Sequence, residues 1–212
     1  IEQTSIRKRA EINNLRNAPE GKFQSTIGIM VNSSKRTVQS LAFENSIQDL
    51  VVYETTKLLS NDFTDLNSFY ISDNEIGRYN NVIPGISFDD LSRLTVCSIK
   101  EAYTFKLEEI RKNIIDLLER FEKNSLTSED ISPSTFTISD LSQTNSSYIF
   151  PLINGRQTII IGIIKSQNIY HILVTFDHRV TEGLRISKFL DNLKIRIESH
   201  FSGEVELKCD FC

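Results

Sequence analysis

Phe176-Asp177-His178-Arg179-Val180-Thr181-Glu182-Gly183 closes a strongly apolar run, residues 171–176, and opens an amphipathic segment, residues 184–193. The apolar run, rich in β-branched residues, reads as a strand. The segment after Gly183 has apolar residues at helical spacing (Leu184, Ile186, Phe189, Leu190, Leu193, Ile197) and reads as a helix to about residue 199, capped by Thr181 or Glu182. The junction therefore puts an imidazole at a strand end, where a rigid scaffold can aim it at a substrate. A side chain that titrates near neutral pH suits the work of a general base. The chain has three histidines, and His178 has the most organised surroundings. His171 reads as a strand histidine and His200 as a surface one.

Working outward, residues 158–165 and 169–176 are two apolar strands split by Ser166-Gln167-Asn168, a hairpin signature. Residues 23–31, 82–88, 94–99 and 134–138 are further strand-like runs. Helical spacing marks residues 105–121 and a stretch from Ser46 through Leu59, and residues 5–17 read as a charged helix. Residues 61–81 are turn-rich and polar with scattered aromatics, and residues 204–211 form a strand-like tail. This alternation predicts a mixed α/β fold in one domain over residues 1–212.

Composition bounds the function classes. The chain has 212 residues, 39% hydrophobic and 25% charged, with a formal net charge of −4. A general nucleic-acid footprint needs a basic surface and is not expected. The longest run free of polar side chains, residues 159–164, is far below the ~20 residues of a membrane span. No charged-then-apolar leader opens the chain, so neither a signal peptide nor a membrane partner is expected. Cys97 lies in a strand-like run and Cys209 and Cys212 near the end, an odd number that suits a reducing, cytoplasmic setting. Cys209-Asp210-Phe211-Cys212 lacks a second pair to complete a zinc site, so no metal is expected.

Two motifs in order carry a family resemblance. Asp177-His178-Arg179-Val180-Thr181-Glu182-Gly183 resembles the Asp-His-Arg-x-x-Asp-Gly signature of the dihydrolipoyl acyltransferase catalytic domain of 2-oxoacid dehydrogenase complexes. About forty residues upstream, Thr135-Phe136-Thr137-Ile138-Ser139-Asp140-Leu141 is similar to that family's Thr-Phe-Thr-Ile-Ser-Asn-Leu segment. Residues 150–154 and 157–162 follow its proline-isoleucine-asparagine turn and next strand. The departures are Glu182 for an Asp or Asn, Ser142 for a glycine, Asn154-Gly155-Arg156-Gln157 for Asn-Pro-Pro-Gln, and a shorter stretch over residues 82–103. No lipoyl-carrying or subunit-binding domain, and so no lipoyl attachment site, is expected in this chain.

The resemblance implies a chloramphenicol acetyltransferase-like two-layer fold, a mixed β-sheet flanked by helices. It also implies a homotrimer with active sites between subunits. By the same resemblance, His178 is the general base and Ser139 stabilises the tetrahedral oxyanion. Glu182 either supports His178, pairing with Arg7 or Arg9, or caps the last helix. Arg179 is expected to make a structural ion pair. Acyl transfer then runs directly from acyl-coenzyme A in a ternary complex. Lys165, Arg156 and Lys188 are candidates for the coenzyme A phosphates by charge alone. The first expectation is a free-standing enzyme of biosynthesis moving a short acyl group, acetyl by default, from acetyl-CoA to a small-molecule hydroxyl or thiol. The alternatives are a dihydrolipoyl acyltransferase core of a 2-oxoacid dehydrogenase complex and a non-catalytic trimeric scaffold.

Overall fold

The computed structural model describes residues 2–5, 23–33 and 46–202. The helix expected over residues 5–17 falls outside this range beyond Ser5. So do the expected tail strand, Arg7, Arg9, Cys209 and Cys212.

Among the described residues six strands form the main sheet: β2 (Gln24–Asn32), β5 (Pro84–Asp89), β6 (Leu94–Ser98), β7 (Phe136–Asp140), β8 (Ile159–Ser166) and β9 (Ile169–Asp177), in the order β2-β9-β8-β7-β5-β6. β5, β7 and β8 run parallel and the other pairings are antiparallel, so the sheet is mixed as expected. The expected hairpin is β8–β9, turned by Gln167 and Asn168.

Strand alternation divides the sheet into two unlike faces. On one face Phe136, Ile138, Ile159, Ile161, Ile163, Ile172, Val174 and Phe176 are buried in the core. Among the described residues three helices supply much of the rest of that core: α1 (Ile47–Asn61), α2 (Leu107–Glu122) and α3 (Gly183–Ser202). Leu58 and Leu59 come from α1, Ile110 and Leu117 from α2, and Ile186, Phe189 and Leu193 from α3. Each such side chain contributes roughly 1.5–3 kcal/mol by leaving water. Phe63 meets Phe189 edge to face at 5.5 Å. Ser46 starts α1 with a reciprocal cap: its hydroxyl accepts from the Asp49 N–H, and the Asp49 carboxylate accepts from the Ser46 N–H.

The other face is only partly covered by the described residues. One row across it is Ser139, Gly162, Leu173 and Gly28; the next is Thr137, Ile160, Thr175 and Thr26. Ile149 lies on Gly162 so closely that a Cβ there would meet it at 2.8 Å. Glycine at 162 is what lets the segment before Phe150 cross the sheet.

Three elements differ from expectation. Residues 61–81, read as loop, contain a hairpin of β3 (Ser68–Ser72) and β4 (Glu75–Arg78) that pairs with β1 (Glu2–Gln3) in a second, three-stranded sheet. Its strands are short and half polar, so hydrophobic patterning marks them weakly. β7 runs to Asp140 rather than ending at 138, which sets Ser139 inside a strand. α2 starts at Leu107 because a single 3-10 turn, Ala102–Thr104, precedes it and leaves Phe105 extended.

Candidate active site

The junction after β9 is tightly fastened. The Asp177 carbonyl accepts from the N–H groups of Val180 and Thr181, which turns the chain out of the strand. The buried Asp177 carboxylate accepts from the Arg179 backbone N–H at 2.8 Å, from Nε at 3.0 Å and from a terminal guanidinium nitrogen at 2.7 Å. This is the structural ion pair expected of Arg179, and its hydrogen bonds raise the guanidinium's pKa above its ordinary value.

Between these two anchored residues stands His178. Its N–H donates to the Phe23 carbonyl at 2.7 Å, and its ring packs on that of Phe176 with centroids 4.6 Å apart. The imidazole is about a quarter exposed, so a substrate can reach a side chain whose backbone is held on both sides. Glu182 Oε2 lies 3.7 Å from His178 Nδ1, beyond hydrogen-bond range but close enough to act as a charge. The Glu182 carbonyl also receives the N–H groups of Arg185 and Ile186, which makes it the residue at the start of α3. Its backbone caps the helix while its carboxylate faces the imidazole; the expected pairing with Arg7 or Arg9 lies outside the described residues.

Ser139 does not join this cluster within the chain. It is level with Leu173 across the sheet, five residues along β9 from His178 and two strands away. At about 3.3 Å per residue and 4.8 Å per strand, the separation is roughly 19 Å. Ser139 also faces the open side of the sheet, whereas the His178 ring packs on Phe176 of the core side. Next to Ser139, Asp140 accepts from the Ser142 N–H at 2.8 Å, and burial raises its pKa.

A groove of about 750 Å³ opens on the uncovered face, lined by Phe23, Thr26, Phe150, Leu152, Thr175 and Arg179. The three cations proposed for coenzyme A phosphates are not gathered. Arg156 precedes β8 and lies against the Phe69 ring, while Lys165 is near the far end of β8 over Tyr170. They are roughly 30 Å apart along the strand, and Lys188 is on exposed α3 surface. His200, expected on the surface, is instead half-buried, 2.7 Å from the buried Glu54 carboxylate, which Arg196 also approaches at 3.5 Å. Sequence reasoning missed Phe23 and Tyr70, whose rings hold Arg179. No spacing signal links them to the histidine motif.

A sequence model of the 2-oxoacid dehydrogenases acyltransferase (catalytic domain) family matches residues 27–202. The chain belongs to that family. Among its relatives is the dihydrolipoyllysine-residue acetyltransferase component of the pyruvate dehydrogenase complex of Corynebacterium glutamicum, 28% identical over 158 residues. That match covers 66% of this chain and 23% of the relative, so the chain spans about a quarter of the relative's length. Among solved structures, a probable dihydrolipoamide acetyltransferase from Listeria monocytogenes superposes with a TM-score of 0.76 at 20% identity, covering 98% of this chain and 97% of that one. Chloramphenicol acetyltransferase superposes with a TM-score of 0.59 at 11% identity, covering 93% and 96%. The acyltransferase family shares the chloramphenicol acetyltransferase-like fold, as the resemblance implied.

Proposed function

We propose that this chain is the acyl-transfer core of a 2-oxoacid dehydrogenase complex, moving an acetyl group between a dihydrolipoyl thiol and coenzyme A. The observation that carries this reading is the family match over residues 27–202, which contains both His178 and Ser139. The name of the Corynebacterium relative, a dihydrolipoyllysine-residue acetyltransferase component, supports acetyl as the group and a lipoyl residue as its carrier. The small-molecule acceptor placed first from sequence gains no such support, and its place passes to the lipoyl thiol.

In the proposed reaction His178 takes the proton from the coenzyme A thiol. The sulfur adds to the thioester carbonyl of the acetylated dihydrolipoyl group. The Ser139 hydroxyl donates to the oxyanion so formed. Collapse of the intermediate breaks the bond to the dihydrolipoyl sulfur, and His178 returns the proton to that thiolate. The Glu182 carboxylate favours the imidazolium that exists in between.

The separation of Ser139 from His178 supports sites built between copies of the chain. Ser139 faces the open side of the sheet, where Met30, Tyr148, Phe150 and Leu152 are all more than half exposed. A second copy seated on that apolar face can bring its own His178 to Ser139, and a closed ring of such head-to-tail contacts is a homotrimer. The test is turnover of acetyl-coenzyme A against dihydrolipoamide and a panel of small alcohols and thiols. Dihydrolipoamide is expected to be the preferred acceptor; preference for a hydroxyl would return the reading to a free-standing acyltransferase.

A further inference from the structure

We propose that Arg179 is a positioning residue: stacked on Phe23 and Tyr70 and forked onto Asp177, it ties the strand end that aims His178 to the small sheet. The inference rests on reading His178 as the general base.

The guanidinium carbon of Arg179 lies 4.0 Å from the Tyr70 ring centroid and 4.8 Å from that of Phe23. Its nitrogens remain hydrogen-bonded to both oxygens of Asp177. A planar cation can satisfy all three partners at once, with edges to the carboxylate and faces to the rings. Each contact comes from a different part of the fold. Asp177 ends β9, Phe23 leads into β2 and also holds the His178 N–H, and Tyr70 lies in β3 of the small sheet.

The small sheet is itself fixed to the same end of the main sheet. Thr158 Oγ1 donates to the Ser68 carbonyl at 2.6 Å, and the Thr158 carbonyl accepts from the Asp177 N–H at 3.0 Å. Arg179 thus closes a loop of contacts running Asp177, Thr158, Ser68, Tyr70 and back. His178 is the next residue along the chain from Asp177, with its ring on the core side. Loosening the loop turns the imidazole without removing any group that touches a substrate. Misplacement of a reacting group by about 1 Å can cost up to 10²-fold in rate.

Removing Arg179 itself leaves the buried Asp177 carboxylate without its cation, so that variant can fail to fold. Tyr70→Leu is the better probe, because Tyr70 is only half-buried and Asp177 keeps Arg179. With acetyl-coenzyme A and dihydrolipoamide as substrates, Tyr70→Leu is expected to lower kcat about tenfold and leave both KM values and the assembly state within about twofold. Tyr70→Phe, which keeps the aromatic face, is expected to recover most of that loss. Wild-type kcat in Tyr70→Leu, with only the melting temperature lowered, overturns the positioning role. His178→Ala separates the two readings. If it is inactive while Tyr70→Leu is normal, only the present inference fails. If it stays active, the assignment of the base fails and the inference with it.

Discussion

The two halves of the proposed catalytic pair are held very differently. His178 follows a carboxylate gripped by a guanidinium, donates its own N–H to Phe23, packs its ring on Phe176 and faces Glu182. Ser139 sits in a regular strand beside Gly162 on a face that the described residues leave partly open. The contrast teaches that one half of the proposed site is fastened by contacts within the chain, while the other lies half-buried on a partly open face. A base must be aimed accurately, since proton transfer needs hydrogen-bond geometry. A hydroxyl donor on a rigid strand needs only that the reacting carbonyl be brought to it.

Substitutions can break or sharpen this contrast. His178→Ala removes the proposed base, and turnover of acetyl-coenzyme A is expected to fall by about 10²–10⁴ while the assembly stays intact. Ser139→Ala removes the proposed oxyanion donor, for an expected loss of roughly 10²–10³ in kcat with coenzyme A affinity nearly unchanged. Equilibrium binding measured beside the rates checks both. Asp177→Ala strands the Arg179 fork and is expected to cost about 2–3 kcal/mol in denaturant unfolding, because hydrogen bonds to a charged group are lost at a buried site. Glu182→Gln keeps the helix start, which depends on the backbone carbonyl. It removes a half-exposed charge worth under about 1 kcal/mol, so kcat should fall less than about fivefold.

The smallest effect is expected at the serine end. Burial raises the Asp140 pKa, so the folded state holds that proton more tightly than the unfolded chain does. The acid therefore costs stability as pH climbs from the ordinary carboxylate range through the raised value, and the cost is in full force above it. Burial raises the Asp49 pKa as well, with a small further push from the nearby Asp140 charge. Asp140→Asn retains the oxygen that accepts from the Ser142 N–H. It is expected to raise Tm at neutral pH, a gain that fades as pH falls toward about 4. Thermal melts across pH read this directly.

Much of this architecture was legible in the sequence. The β8–β9 hairpin, the strand-to-helix turn at His178 and the heavily periodic α2 all bury wide apolar stripes, and periodicity reports such stripes faithfully. Hydrophobic patterning does not mark the β3–β4 hairpin, because it buries little and its consecutive Phe69, Tyr70 and Ile71 show no alternation. The ion pair of Arg179 could be anticipated from an acid two residues earlier. Its contacts with Phe23 and Tyr70 could not, since they join segments more than a hundred residues away in the chain. His200 was misjudged because a histidine late in an amphipathic helix looks solvent-facing until its partner, Glu54 of α1, is known. The distance between Ser139 and His178 depends on strand order and register, which motif spacing does not encode.

That distance makes the central claim testable by mixing two dead variants. If each site takes His178 from one subunit and Ser139 from another, oligomers assembled from equal amounts of His178→Ala and Ser139→Ala chains contain some sites with both groups intact. Random assortment makes that about one site in four, so co-assembled chains should recover about a quarter of wild-type turnover. If the mixture stays as inactive as its components while assembling normally, both groups act within one chain and the intersubunit account is wrong.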